Sequence, residues 1–341
     1  MRPTFYPRLI NDPFDDPGLF VSFLQEKRAF IFDLGNIDSL STKDILKISH
    51  IFITHTHMDH FIGFDRLLRL FLGREQQLHM FGPAGILKNV EGKLSAYSWN
   101  LVKHYDNALA LRVTEVHPEH SATNVYHCQE GFLPTAKAVK QPFNGILHQE
   151  ALLTVFAEIL DHGIPCLGFS IKERFHVNIL KERVFDLGLD IGPWLNDFKK
   201  ALFSEQPPES VFEVGAGEKH SKKKVVLGDL ANQIAMVTPG QKISYVADVT
   251  YNPSNVEKIL KLVKNADHLF IEAAFLENEK DMAGNKGHLT ARQAGSIAAK
   301  ARVKQFTPFH FSPRYTGSGH LLESEAKTAF EKENGKTAPS I

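Results

Sequence analysis

Cysteine is scarce in this chain. Two among 341 residues, Cys128 and Cys166, cannot build the disulfide framework of a small secreted domain, and they point to a reducing compartment. Long hydrophobic runs are missing too: no stretch approaches the about 20 apolar residues of a membrane span. The opening Met1-Arg2-Pro3-Thr4-Phe5-Tyr6-Pro7-Arg8 has no apolar signal core, so a cytoplasmic location without membrane contact is expected. Net charge is absent, with 39 lysines and arginines against 39 aspartates and glutamates. That balance gives no global pull on a polyanion and leaves any nucleic-acid binding to a local patch. No internal repeat is visible. What the chain does hold is 43% apolar residues, enough for a full core in one large or two ordinary domains.

Histidine is plentiful, at 17 residues, and it is concentrated. Thr54-His55-Thr56-His57-Met58-Asp59-His60 places three imidazoles and a carboxylate directly after the apolar run Ile51-Phe52-Ile53, which reads as a buried strand. Strand alternation sends His55 and His57 to one face, where they can grip one cation. Asp59, expected at the N-cap of the next helix, and His60 turn toward a second cation. Nitrogen donors with one carboxylate suit zinc, with manganese or iron as alternatives, and no thiolate nearby demands zinc alone. Downstream, His162, Asp248, His288 and His310 stand at the ends of strand-like runs.

Four segments carry a resemblance: the H-T-H-M-D-H block, Asp161-His162-Gly163-Ile164-Pro165-Cys166-Leu167-Gly168-Phe169, His288-Leu289-Thr290-Ala291-Arg292-Gln293-Ala294-Gly295, and His310-Phe311-Ser312-Pro313-Arg314-Tyr315. In these the chain resembles the metallo-β-lactamase superfamily, and within it the ribonuclease Z family of tRNA 3′-end processing endonucleases. The resemblance implies an α/β fold, an αββα sandwich of two facing mixed sheets with helices on both outer faces. It implies that His55, His57 and His162 hold one divalent ion, that Asp59, His60 and His310 hold the other, and that Asp248 bridges them. Two ions about 3.5–4 Å apart supply hydroxide at neutral pH for attack on phosphorus. His288, oriented by Glu272, would protonate the leaving oxygen, so Asp59, His288 and Glu272 are the expected catalytic residues. Asp33 would hydrogen-bond a ligating histidine, and Ser312 and Arg314 would meet a phosphate. The expected substrate is precursor tRNA, and a homodimer is expected. His117, His120 and His127 match no ligand set and read as ordinary strand-end and loop histidines.

Strands are expected at Arg28 to Asp33, His50 to Thr54, Leu78 to Gly82, Ala110 to His117, Leu152 to Glu158, Cys166 to Lys172, Lys242 to Asp248, His268 to Ala273 and Val303 to Phe309. Helices are expected at Phe64 to Phe71, Ile86 to Tyr105, Pro253 to Val263, Thr290 to Ala301 and Ser324 to Glu333. We read residues 1–341 as a single metallo-β-lactamase-like domain with an insertion or arm at 174–240, where periodicity is weak. That segment contains Gly192-Pro193-Trp194, Lys219 and Lys222-Lys223-Lys224. Ribonuclease Z enzymes carry a tRNA-gripping arm with a Gly-Pro motif here, so Gly192-Pro193 reads either as its variant or as part of a packed insertion.

Departures from the family pattern bear on substrate. Asp33-Leu34-Gly35-Asn36 stands for an Asp-Cys-Gly-Glu turn, Ala247-Asp248-Val249 for Gly-Asp-Thr, and Phe64-Asp65-Arg66-Leu67-Leu68-Arg69 for a proline-rich loop. The ligand set survives these changes. The main rival is therefore a phosphodiesterase of the same fold acting on a small substrate such as a cyclic nucleotide. A thioesterase of the glyoxalase II kind has no reason for the His288 segment, and a non-catalytic scaffold has no reason to keep every ligand.

Overall fold

The computed structural model describes residues 4–24, 26–134, 137–216 and 221–337. Lys219 lies outside the described residues. Eight strands come first: β1 (Phe5–Leu9), β2 (Leu19–Phe23), β3 (Ala29–Phe32), β4 (Ile48–Phe52), β5 (Gln76–Pro83), β6 (Leu109–Val116), β7 (His120–His127) and β8 (Val139–Pro142). They form one sheet in sequential order. The pairs among β3, β4, β5 and β6 are parallel, and the outer pairs are antiparallel. Helices α1 (Thr42–Ile45), α2 (Met58–Phe61), α3 (Phe64–Phe71) and α4 (Ile86–Ser95) make the crossovers. Every residue of β3 is apolar and buried, as a strand covered on both faces requires.

Next come β9 (Ile146–Gln149), β10 (Leu153–Asp161) and β11 (Pro165–Glu173). They are followed by β12 (Phe175–Ile179), α5 (Lys181–Asp186), α6 (Trp194–Phe203), β13 (Val211–Ala216), β14 (Ser221–Val226), α7 (Leu227–Ile234) and β15 (Ala235–Pro239). The chain then runs through β16 (Lys242–Val246), α8 (Pro253–Val263), β17 (His268–Glu272), α9 (Lys280–Lys286), α10 (Ala291–Lys300), β18 (Gln305–Phe309) and α11 (Gly319–Thr337). A second sheet has the order β18-β17-β16-β11-β10-β9.

The two sheets meet through aromatic rings. Phe32 lies 5.6 Å from Phe169 and 6.0 Å from Tyr245, and Phe52 lies 5.8 Å from Phe169. Each such ring contributes about 1.5–3 kcal/mol by leaving water. α3 and α4 cover the outer face of the first sheet through Phe64, Leu67, Phe71 and Val90, and α8, α10 and α11 cover the second through Ile259, Ile297 and Leu322. α10 and α11 approach closely because position 295 is glycine, where a Cβ would sit 2.0 Å from the Ala326 carbonyl oxygen. This is the αββα arrangement the resemblance implies.

The chain divides into two compact units, residues 5–148, 155–171 and 242–341 in one and residues 1–4, 149–154 and 172–241 in the other. The smaller unit has its own core, made by Val184, Leu189, Phe198, Val214, Leu227, Leu230 and Ile234. Its strands pair as two antiparallel ribbons, β12 with β15 and β13 with β14.

Two expectations about helices need correction. The helix read from Ile86 to Tyr105 ends at Ser95, and only a 3-10 turn follows at Val102–His104. Trp99 explains the break: its Nε1 donates to the Leu94 carbonyl at 2.8 Å while its ring packs against Phe132, so a carbonyl the helix needs is already taken. The last helix is longer than expected and spans Gly319–Thr337. Among the described residues no helix is long and apolar enough to cross a membrane.

Candidate metal centre

Site residues gather at the carboxyl ends of strands, as they do in open α/β sheets. Asp33 follows β3, His55 and His57 follow β4, His162 follows β10, Asp248 follows β16, Glu272 ends β17 and His310 follows β18. Seven non-glycine residues among those described have positive φ, and three of them are Asp33 (58°), Asp248 (48°) and His310 (58°). Such backbone costs of order 1–3 kcal/mol per residue and persists where the surroundings over-determine it.

Two local expectations at the motif differ from the structure. β4 ends at Phe52, so His55 and His57 converge through the loop beyond the strand rather than through strand alternation. Asp59 is not an N-cap. His57 takes that place, without a side-chain capping bond, and Asp59 sits in the first turn of α2, which aims its carboxylate at His310.

Asp248 is the hub. Its Oδ2 lies 3.6 Å from His55 Nε2, 3.5 Å from His162 Nε2 and 3.4 Å from His60 Nε2, while Oδ1 lies 2.8 Å from His310 Nδ1. His55 Nε2 and His57 Nδ1 are 2.9 Å apart. On the other side, Asp59 Oδ2 lies 3.5 Å from His60 Nε2 and 3.4 Å from His310 Nε2. Ligand atoms therefore converge in two adjoining groups, His55, His57, His162 and Asp248, and Asp59, His60 and His310. A third group, Asp248, Glu272, His288 and His310, places the expected acid and its carboxylate partner on the same rim.

The histidines are oriented from behind. His60 Nδ1–H donates to Asp33 Oδ2 at 2.8 Å, and His162 Nδ1–H donates to the Gly287 carbonyl at 2.8 Å, which leaves Nε2 of both facing the centre. Gly287 has φ 74°, and a Cβ there would stand 2.9 Å from His162 Nδ1, so both backbone shape and space call for glycine. Asp33 is fully buried and also accepts from the Thr54 backbone at 2.7 Å, the Thr54 hydroxyl at 2.9 Å and the Tyr245 hydroxyl at 3.0 Å. Thr54 and Tyr245 give no sign of this role in the sequence, where each looks like an ordinary strand residue.

Electrostatics favour a cation. Burial pushes His55 down to about 2, so its imidazole is neutral and free to ligate. Burial works against a proton on His60, yet Asp248 and Asp33 together lift it to about 10. Burial likewise opposes a proton on His310, and Asp248 outweighs it. Burial would raise Asp248, but His310 and His60 hold it well below the usual carboxylate range. Buried His60 Nε2, Asp248 Oδ1 and His310 Nδ1 have no partner in hydrogen-bonding geometry, an arrangement that costs free energy unless something fills it. Imidazole nitrogens and carboxylate oxygens with this convergence fit divalent ions.

His288 Nδ1 lies 2.9 Å from Glu272 Oε2. Burial lowers the His288 pKa, and Glu272 more than offsets this and raises it. The Ser312 backbone N–H donates to the Ala274 carbonyl at 3.1 Å, and the Arg314 guanidinium is paired with Glu279 at 3.0 Å. His117 Nε2 pairs with Glu115 at 2.8 Å and its ring stacks on His120; neither joins a ligand group.

An αββα sandwich with this His/Asp cluster defines a metal-dependent hydrolase of the metallo-β-lactamase fold. Comparison with known proteins agrees. The model of the beta-lactamase superfamily domain matches residues 217–311. The ribonuclease Z of Exiguobacterium sibiricum is 32% identical over 318 residues, covering 92% of this chain and 88% of the relative. That of Deinococcus radiodurans is 27% identical over 313 residues, covering 90% of each. The short form of human tRNase Z superposes with a TM-score of 0.51 at 19% identity, covering 92% of this chain and 93% of that one. The chain belongs to the ribonuclease Z family.

Proposed function

We propose that the chain is a two-ion endoribonuclease that removes the 3′ trailer of precursor tRNA. The observation that carries this reading is the position of Asp248, whose two oxygens face His55, His60 and His162 on one side and His310 on the other. In this reading His55, His57 and His162 would hold one ion, Asp59, His60 and His310 would hold the other, and Asp248 would serve both. Zinc is the first choice, with manganese and iron as alternatives. When bound, two such ions lower the pKa of a water and offset charge that develops on phosphoryl oxygens.

The chain's own residues then do the rest. Asp33 fixes the His60 tautomer and Gly287 fixes that of His162, so the ligand nitrogens are set before substrate arrives. His288 spends Nδ1 on Glu272, leaving Nε2 to give a proton to the departing oxygen. In this reading Ser312 and Arg314 would meet a phosphate, with Arg314 exchanging Glu279 for it. Family membership supports tRNA as the substrate class, and residues 174–240 are the candidate arm inserted in a metallo-β-lactamase-like domain. We extend the reading to a cytoplasmic homodimer, which sedimentation tests. Turnover of a 3′-extended precursor tRNA against a cyclic nucleotide tests the substrate: faster cleavage of the cyclic nucleotide would leave the ion site standing and remove tRNA from the account.

A further inference from the structure

We propose that Asn255 is a positioning residue for the metal centre, clamping together the two turns that carry His162 and Asp248; this rests on the two-ion reading above. Asn255 is 2% exposed, although it sits in the first turn of a helix at the protein's outer layer. Its backbone is fixed by α8, since its N–H donates to the Asn252 side chain at 2.9 Å and Pro253 opens the helix. Its side-chain amide makes three hydrogen bonds, using both N–H groups and the oxygen. Nδ2 donates to the Asp161 carbonyl at 2.9 Å and to the Thr250 carbonyl at 2.7 Å, and Oδ1 accepts the Asp161 N–H at 3.0 Å.

Asp161 immediately precedes His162, and Thr250 lies two residues beyond Asp248. The same Asp161 carbonyl accepts the Thr250 N–H at 2.9 Å, so one amide and one backbone bond lock the two segments edge to edge. The distance so set is the 3.5 Å between His162 Nε2 and Asp248 Oδ2. Asp248 needs outside support because its φ of 48° is a left-handed conformation that aspartate leaves readily when released. Glu272 supplies part of that support by accepting the Val249 N–H at 2.6 Å, and Asn255 supplies the rest from the rigid end of a helix. A buried amide with both N–H groups and its oxygen engaged holds its neighbours stiffly. Replaced by an apolar group, it leaves the Thr250 carbonyl and the Asp161 N–H in search of partners, and the single remaining Thr250 N–H to Asp161 carbonyl bond holds the turns less firmly.

The test uses the full chain and zinc. Asn255→Leu removes all three hydrogen bonds at similar volume. Asn255→Asp keeps the acceptor for the Asp161 N–H but turns an anionic oxygen toward the two carbonyls. Ser244→Ala is the structural control, because it deletes another buried hydrogen bond, to Ser170 at 3.0 Å, on the strand that leads to Asp248. Zinc affinity and stoichiometry are read by equilibrium dialysis with metal analysis, alongside the melting temperature of the metal-free protein. Both Asn255 variants should bind one of two ions roughly 10–100-fold more weakly, the usual effect of losing a group behind a ligand, and keep the other. Ser244→Ala should melt earlier yet bind both ions as the unmodified protein does. Wild-type affinity for both ions in the Asn255 variants, or equal weakening in Ser244→Ala, overturns the proposal. If Asn255→Leu does not fold, Asn255→Asp decides alone. An unmodified protein that binds fewer than two ions overturns the two-ion reading and the clamp with it.

Discussion

Glu272 joins the candidate general acid to the turn that carries Asp248: Oε2 lies 2.9 Å from His288 Nδ1, while Oε1 accepts the N–H of Val249, next to Asp248, at 2.6 Å. One buried carboxylate thus sets both the tautomer of His288 and the backbone beside the hub. If His288 protonates the leaving oxygen, His288→Ala should keep its metal and lose roughly 10²–10⁴-fold in turnover on a diester with a poor leaving group. The loss should shrink on a nitrophenyl diester, whose leaving group barely needs a proton. Equal losses on both substrates would assign His288 to positioning instead.

The pH profile follows from the same pair. If His288 works protonated, with Glu272 raising its pKa, activity on the poor leaving group is present below that raised value and falls as pH climbs through it. In Glu272→Gln the main supporting charge is gone and burial is opposed only by the weaker pull of Asp248, so the alkaline limb should move to lower pH. A limb that stays in place in Glu272→Gln would detach it from His288.

Asp248 faces ligands of both groups at once, so its loss should be the most damaging at the centre. Purified protein should hold about two divalent ions per chain, as a two-metal site requires. Asp248→Ala should lose at least one of them together with activity, by metal analysis and turnover. Two retained ions and near-normal turnover would contradict its bridging role.

Much of this site was legible in the sequence because its residues sit in dense local motifs. The block from His55 to His60 follows an apolar strand, and His162, Asp248 and His310 each close a strand-like run, so residue type and place coincide; His288, expected at a strand end, instead follows α9. The sandwich was legible for the same reason, since β3, β4, β16 and β17 are short apolar runs. What stayed hidden depends on distant partners. Trp99 ends α4 through Leu94 and Phe132, which helix periodicity cannot show. β12 pairs with β15 across an intervening ribbon and helices, and the lysine run at 222–224 masks strand alternation in β14. Asn255 gave no signal, because a polar residue in a first helical turn ordinarily faces water.

If the segment 174–240 binds tRNA, positive charge on β14 should carry part of the binding. Lys223 and Lys224 are exposed, and Lys224 pairs in register with Glu213. Lys223→Ala/Lys224→Ala should raise KM for precursor tRNA and flatten its salt dependence, by about 0.7–0.9 in log–log slope for each phosphate no longer neutralised. Turnover of a small diester should be unchanged. Equal effects on both substrates would return the segment to a purely structural role.

This His/Asp cluster, once loaded with metal, is expected to cut RNA at one defined place near the 3′ end of a tRNA precursor. End-labelled 3′-extended precursor tRNA, incubated with the zinc-loaded protein and resolved at single-nucleotide length, tests that claim most directly. We expect one endonucleolytic cut that releases the trailer intact and disappears in Asp248→Ala. A precursor left whole by protein that hydrolyses a small diester, or degraded stepwise from its 3′ end, would contradict the account.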